Sequence, residues 1–177
     1  MTNQLITLTL IWCFFLTSCK TENDMEAMEP RQAEKFIFYG NQEKYRNAIS
    51  ARVNDPGNPF TIKKVQALKN TSPHGHDILE ITVSHYRGCS QDFEMIWDGT
   101  IMESFPEQVN MFLHLKGACQ DDQELVETVL LLDIDEFIGR ADLVDRATFH
   151  ILNGSEASSE NDQSVSTWHD HSIQGQN

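Results

Sequence analysis

The stretch DILEITVSHY, residues 77–86, decides the fold class. Leu79, Ile81, Val83 and His85 fall on one face of an extended chain, and Ile78, Glu80, Thr82, Ser84 and Tyr86 on the other. Side chains alternate across a strand, so a period of two marks a strand that sets one face against a core.

Outward from it the same signal recurs. DFEMIWDG (92–99) groups Phe93, Met95 and Trp97 and ends in the turn dipeptide Asp98-Gly99. QVNMFLHL (108–115) alternates Val109, Met111 and Leu113 against Asn110, Phe112 and His114. ELVETVLLLDI (124–134) reads as a long apolar strand and ATFHILN (147–153) as a last one. On the N-terminal side, FTIKKVQAL (60–68) shifts register between Ile62 and Val65, as a bulged strand does. DPGNP (55–59) and KNTSPHGH (69–76) are turn and loop. Phe36 to Tyr39 suggest a strand before Gly40, and the stretch 42–53 reads as a short helix or a further strand. DEFIGRADLVD (135–145) reads as an irregular connection or one helical turn. Short strands separated by turns predict an all-β domain, an antiparallel β-sandwich or partly open barrel, with a short helical element near the N-terminus.

The ends of the chain read differently. Leu5 to Leu16 form an apolar run too short to span a bilayer comfortably. It leads into Leu16-Thr17-Ser18-Cys19, which looks like a bacterial lipoprotein signal with its lipobox, although residues 1–5 carry no Lys or Arg. The resemblance implies that residues 1–18 are removed and that Cys19 is lipidated. Several acyl chains at roughly 0.8 kcal/mol per buried CH₂ give a stable anchor. The alternative is an ordinary cleaved signal. Residues 19–33 hold Glu22, Asp24, Glu26 and Glu29 and read as an acidic tether. Residues 34–153 form the sandwich domain, and 154–177, poor in apolar residues, are expected to be a disordered tail. The expected address is the bacterial outer membrane, on its periplasmic or cell-surface face.

Charge narrows the partners. With 13 basic against 27 acidic residues the net charge is −14. Nucleic acid is excluded as a natural partner, because phosphate neutralisation needs a basic face. The membrane link is expected to run through the lipid on Cys19 rather than through anionic headgroups. With Cys13 in the signal and Cys19 lipidated, Cys89 and Cys119 remain. In an oxidising compartment they suggest one disulfide, against two buried free thiols.

The middle of the chain resembles the C-terminal β-sandwich domain of NigD-like proteins, a family of small Bacteroidota lipoproteins. The resemblance rests on ITVSHYRGCSQDFEMIWDG (81–99) and MESFPEQVNMFLHLKGAC (102–119). Within these, Gly88-Cys89, Phe93, Trp97, Glu103-Ser104, Pro106, Gln108-Val109, His114 and Cys119 follow the family order. Arg87 stands where a second glycine is usual, and Ser90-Gln91-Asp92 lacks the histidine that commonly follows the first cysteine. The resemblance implies a sandwich and a Cys89–Cys119 bridge.

Chemistry-bearing residues are few. His74 and His76 form an HxH loop, and His85 and His114 lie on strands; together they are the candidate metal set. The alternative is a solvated loop and core histidines. WHDH (168–171) in the tail is a similar, weaker pattern. There is no GxSxG, SxxK or HExxH, and adjacent Ser84 and His85 point to opposite faces of a strand. Asp133, Asp135 and Glu136 read as an end-of-strand charge cluster, with a paired acid/base or calcium site as alternatives. Trp97, Phe105 and Phe112 are the candidate partner-binding patch, if exposed. No cofactor is implied. The expected function is that of a lipid-anchored, non-enzymatic module that binds or shields a protein partner; metal or small-ligand binding through His74, His76, His85 and His114 is the alternative.

Overall fold

A computed structural model describes residues 31–32, 35–88, 92–117, 119, 124–155 and 162–166. Two sheets pack face to face around one core, and neither closes into a barrel. Sheet B holds β3 (Phe60–Leu68), β4 (Ile78–Tyr86) and β7 (Leu125–Asp133) in that order, all antiparallel. Sheet A runs β1 (Arg31–Gln32), β2 (Phe36–Gly40), β5 (Asp92–Met102), β6 (Glu107–Lys116), β8 (Ala147–Asn153) and β9 (Gln163–Ser166). Its β2–β5 and β6–β8 pairings are parallel, so the sandwich is mixed rather than purely antiparallel. A parallel partner needs a longer crossover than a hairpin allows. Here the chain leaves sheet A after β2 and after β6 and returns through sheet B.

The alternation read from the sequence becomes the core. Leu79, Ile81, Val83 and His85 of β4 are buried, as are Phe93, Met95 and Trp97 of β5 and Val109, Met111 and Leu113 of β6. Phe36 and Phe38 bring β2 against Phe137, with ring centroids 5.9 and 5.2 Å apart. Phe137 lies on α2 (Ile134–Ile138), which with a 3₁₀ turn (Ala141–Asp145) plugs one end through Ile134, Ile138, Leu143 and Val144. Asp133 caps α2 by accepting from the Glu136 N–H at 3.0 Å, and Gly139 ends it at φ +79, a conformation that suits glycine.

The region 42–53 is a helix, α1 (Gln42–Arg52), capped by Asn41, whose side chain accepts from the Lys44 N–H at 2.8 Å. The register shift in β3 is present between Ile62 and Lys64. Asp98-Gly99 does not end β5. It forms a bulge between Trp97 and Ile101, where the Asp98 carboxylate accepts from the Thr100 N–H (3.0 Å) and Asn110 Nδ2 (3.1 Å). The hairpin turn falls later, at a cis Phe105–Pro106 bond.

Two boundaries need correction. Arg31–Gln32 pairs with β2, so the expected tether (19–33) gives these two residues to sheet A. The expected disordered tail gives up 162–166 to the fold: β9 pairs antiparallel with β8, from Thr148↔Ser166 to Ile151↔Gln163. Edge pairing is held by backbone bonds, which polar composition does not forbid. Asp162 fixes the entry, accepting from both terminal nitrogens of Arg52 (2.9 and 3.3 Å) and from the Asn153 N–H (2.7 Å). Cys19, Cys89 and the WHDH segment (168–171) lie outside the described residues. Cys119 is disulfide-bonded. Among the described residues no helix is long and apolar enough to cross a membrane.

Candidate functional site

The two long sides of the sandwich differ. On one, Asn153 of β8 reaches across to sheet B: its Nδ2 donates to the Phe60 carbonyl at 3.0 Å, and Ser155 Oγ donates to the same oxygen at 3.0 Å. That side is sealed. On the other, β7 is the last strand of sheet B and, among the described residues, pairs with β4 alone.

The orientation of the β7 backbone follows from two bonds just beyond its ladder. The Arg87 N–H donates to the Glu124 carbonyl at 2.8 Å, and the Ile134 N–H donates to the Asp77 carbonyl at 3.1 Å. Both pairs continue the β4–β7 register. In an antiparallel ladder bonded pairs alternate with unbonded ones. The even-numbered residues of β7 therefore bond to β4, and Leu125, Glu127, Val129 and Leu131 turn their N–H and C=O groups to the open edge. Their side chains share the outer face, where Leu125 is 62% exposed, Leu131 49% and Val129 37%. Glu127 has no ion pair or side-chain hydrogen bond among the described residues. A cleft of about 150 Å³ lies beside Val129 and Leu131, with Lys35 and Phe36 on its far wall. An unpaired strand with apolar side chains on its outer face is a template for another chain.

A second concentration of polar groups lies on the outer face of sheet A, beside α1. Glu94 is buried, with Lys116 Nζ at 3.0 Å, Lys44 Nζ at 3.4 Å and the Tyr39 hydroxyl donating at 3.2 Å. Burial pushes the Glu94 carboxyl up, but the two ammonium groups outweigh it and hold the group below its ordinary value. Lys44 also sits over the Tyr39 ring, 3.3 Å from its centroid. His114 lies opposite Glu94 across β5–β6, and burial pushes its imidazole below the ordinary value. The loop Asp55–Pro59 folds over it, forming with Lys116 a shallow depression of about 320 Å³. Gly57 is required there, because a Cβ would overlap the His114 ring. Charges in this cluster are matched to one another, which is the arrangement of a helix seat.

The four candidate metal ligands do not converge. His76 Nδ1 contacts the Asp133 carboxylate at 3.1 Å and its Nε2 lies 3.5 Å from Asp135. His74 is exposed, its ring centroid 5.8 Å from that of His76. His85 is buried at the far end of β4, nine residues on, or roughly 30 Å at about 3.3 Å per residue. Both its ring nitrogens are engaged, Nδ1 with the Tyr86 carbonyl (2.9 Å) and Nε2 with Thr128 Oγ1 (3.0 Å). His114 faces outward from the other sheet. Among the described residues no group of three or more His, Cys, Asp or Glu side chains could hold a metal ion. The joint site read from sequence is therefore corrected: strand alternation and the two-sheet topology separate its members. Asp133 and Asp135 instead fix His76 at the foot of α2.

The aromatic patch is corrected as well. Phe105 is 82% exposed, but Trp97 and Phe112 are buried. The Trp97 indole N–H donates to the Thr100 carbonyl at 3.0 Å, and Phe112 packs where Gly154 passes over it. The exposed apolar residues that do line up are Leu125, Val129 and Leu131. Their stretch, 125–132, is interrupted only by Glu127 and Thr128, and only the strand order shows which of its faces is uncovered. No family model, curated protein or solved structure matches this chain.

Proposed function

We propose that the protein is a lipid-anchored module of the bacterial outer membrane that binds or shields a protein partner without catalysing a reaction. One observation carries the reading: among the described residues, a sandwich bridged along its β3–β8 side leaves β7 without a second strand partner along the other, with Leu125, Val129 and Leu131 exposed beside it. The lipobox-like Leu16-Thr17-Ser18-Cys19 supports the anchor, and the NigD-like pattern with Cys89 and Cys119 supports an envelope protein with one disulfide. The polar cluster around Glu94 pairs its carboxylate with Lys44 and Lys116, which hold it charged, although Oε2 accepts no hydrogen bond among the described residues.

Position-specific photocrosslinking in the native envelope tests this. A benzophenone side chain at Leu125 or Leu131 should give one discrete adduct, and one at Lys64, on the far strand of the same sheet, should give none. Equal labelling at all three positions would remove β7 as the partner surface. For the anchor, Cys19→Ala should release the protein from the membrane fraction.

A further inference from the structure

The geometry points to a specific occupant for β7: an extended segment of another protein, apolar with one Lys or Arg, that adds as an antiparallel strand and sets its basic residue opposite Glu127. This rests on the partner-binding reading and goes further, fixing the mode of binding and the chemistry of the partner.

The backbone supplies the mode. Glu127, Val129 and Leu131 all direct N–H and C=O groups away from β4, so an added strand meets, at every second residue, donors and acceptors with no partner among the described residues. In a bonded antiparallel pair the two side chains lie on the same face. The partner residues that bond to β7 therefore place their side chains on the outer face, facing Leu131, Val129, Glu127 and Leu125 in turn. Apolar residues suit three of these positions. The fourth meets a carboxylate that has no partner among the described residues. Beside Val129 and Leu131 the added strand would meet the cleft of about 150 Å³ that Lys35 and Phe36 also line.

Charge selects the class of partner. A second copy brings another −14, and an antiparallel self-pairing centred on Glu127 sets two carboxylates face to face. A basic residue at that position instead gains a cross-strand ion pair. Glu127 thus serves two purposes: it discourages edge-to-edge self-association and selects a basic partner.

The test uses the folded protein and a capped peptide, Val-Thr-Val-Thr-Lys-Thr-Val, whose valines and lysine would face Leu131, Val129, Glu127 and Leu125. Amide hydrogen exchange is read residue by residue. On binding, exchange at Glu127, Val129 and Leu131 should slow by at least about tenfold, while Thr128 and Leu130, already bonded to β4, change little. The peptide with Glu in place of Lys should bind about tenfold more weakly, and Glu127→Lys should reverse that preference. Methylating the backbone nitrogens of the central valine and the lysine should abolish binding at unchanged charge. Binding that survives methylation, or protects no alternate amides, overturns the proposal. Protection of the same amides that rises with protein concentration in the absence of peptide also overturns it, in favour of a second copy. If Leu131 still crosslinks a partner in the envelope while the peptide leaves the alternate amides unprotected, partner binding at β7 stands and strand addition falls.

Discussion

Replacing Asn153 tests whether the sealed side of the sandwich is held as described. The side chain is fully buried: its Nδ2 donates to the Phe60 carbonyl at 3.0 Å and its Oδ1 accepts from the Ser155 N–H at 2.9 Å, while the single Ser155 hydroxyl proton has both Asn153 Oδ1 (2.8 Å) and the Phe60 carbonyl (3.0 Å) as alternative acceptors. In Asn153→Ala the Phe60 carbonyl keeps the Ser155 hydroxyl, but the Ser155 N–H is stranded and the inter-sheet bond is gone. At about 1 kcal/mol for a net hydrogen bond and about 1–2 for a stranded, partly buried donor, the loss should be about 2–3 kcal/mol. With a urea m-value of about 2 kcal/mol/M, the midpoint of unfolding should fall by about 1–1.5 M. Asn153→Asp makes a sharper case, because a carboxylate oxygen then faces the Phe60 carbonyl where a donor had been. Burial and that lone-pair contact raise the folded-state pKa of the new acid above its unfolded value of about 3.9. Such a group lowers stability progressively as pH rises from about 4 through the folded value. The Asp variant should therefore be less stable than the Ala variant at pH 7 and regain part of the difference near pH 4. An Asp variant within 0.5 kcal/mol of wild type at pH 7, on the order of ordinary surface substitutions, would refute this account of the seal.

Three further outcomes follow from the packing. Gly154→Ala places a Cβ 2.6 Å from the Leu113 carbonyl oxygen and 2.8 Å from the Phe112 ring, so chemical denaturation should show a loss of about 1–3 kcal/mol. Burial holds the folded-state pKa of His114 below its ordinary 6.5, so the unfolded chain takes up the proton first. Stability should decline as pH falls from about 6.5 toward the folded value, and the His114→Gln variant should lose that part of the slope. Intact mass of the oxidised domain should fall two hydrogens short of the free-thiol form through a Cys89–Cys119 bridge; two alkylatable thiols in denaturant without reductant would refute that pairing.

The sequence exposed the fold where only one face of a strand is buried. In β4, β5 and β6 the period of two picked out inward residues that are all buried. It failed where tertiary context decides. The local chemistry of Asp98-Gly99 suits a hairpin and a bulge equally, and the longer β6 pairing selected the bulge. Residues 163–166 carry little hydrophobicity, so composition gave no hint that β8 would offer them an edge. Phe112 looked like an outward residue, and it is outward, but the Gly154 turn covers it. The candidate site was the least legible part. Leu125, Val129 and Leu131 lie in a stretch read only as a long apolar strand, in which Leu130 and Leu132 are core, because strand order within a sheet leaves no mark in a single sequence. Glu94 likewise gave no sign of its two lysines, which arrive from 50 residues upstream and 22 downstream.

The central claim, that the open edge of β7 is a partner surface, is tested most directly by Val129→Pro combined with a photocrosslinker at Leu131. The Val129 N–H points away from β4, so proline there removes one free-edge donor and leaves the internal ladder intact, as edge strands permit. The account predicts a folded protein with an unchanged near-UV spectrum and an adduct from Leu131 that disappears. An adduct of undiminished yield in the folded Val129→Pro protein would contradict it.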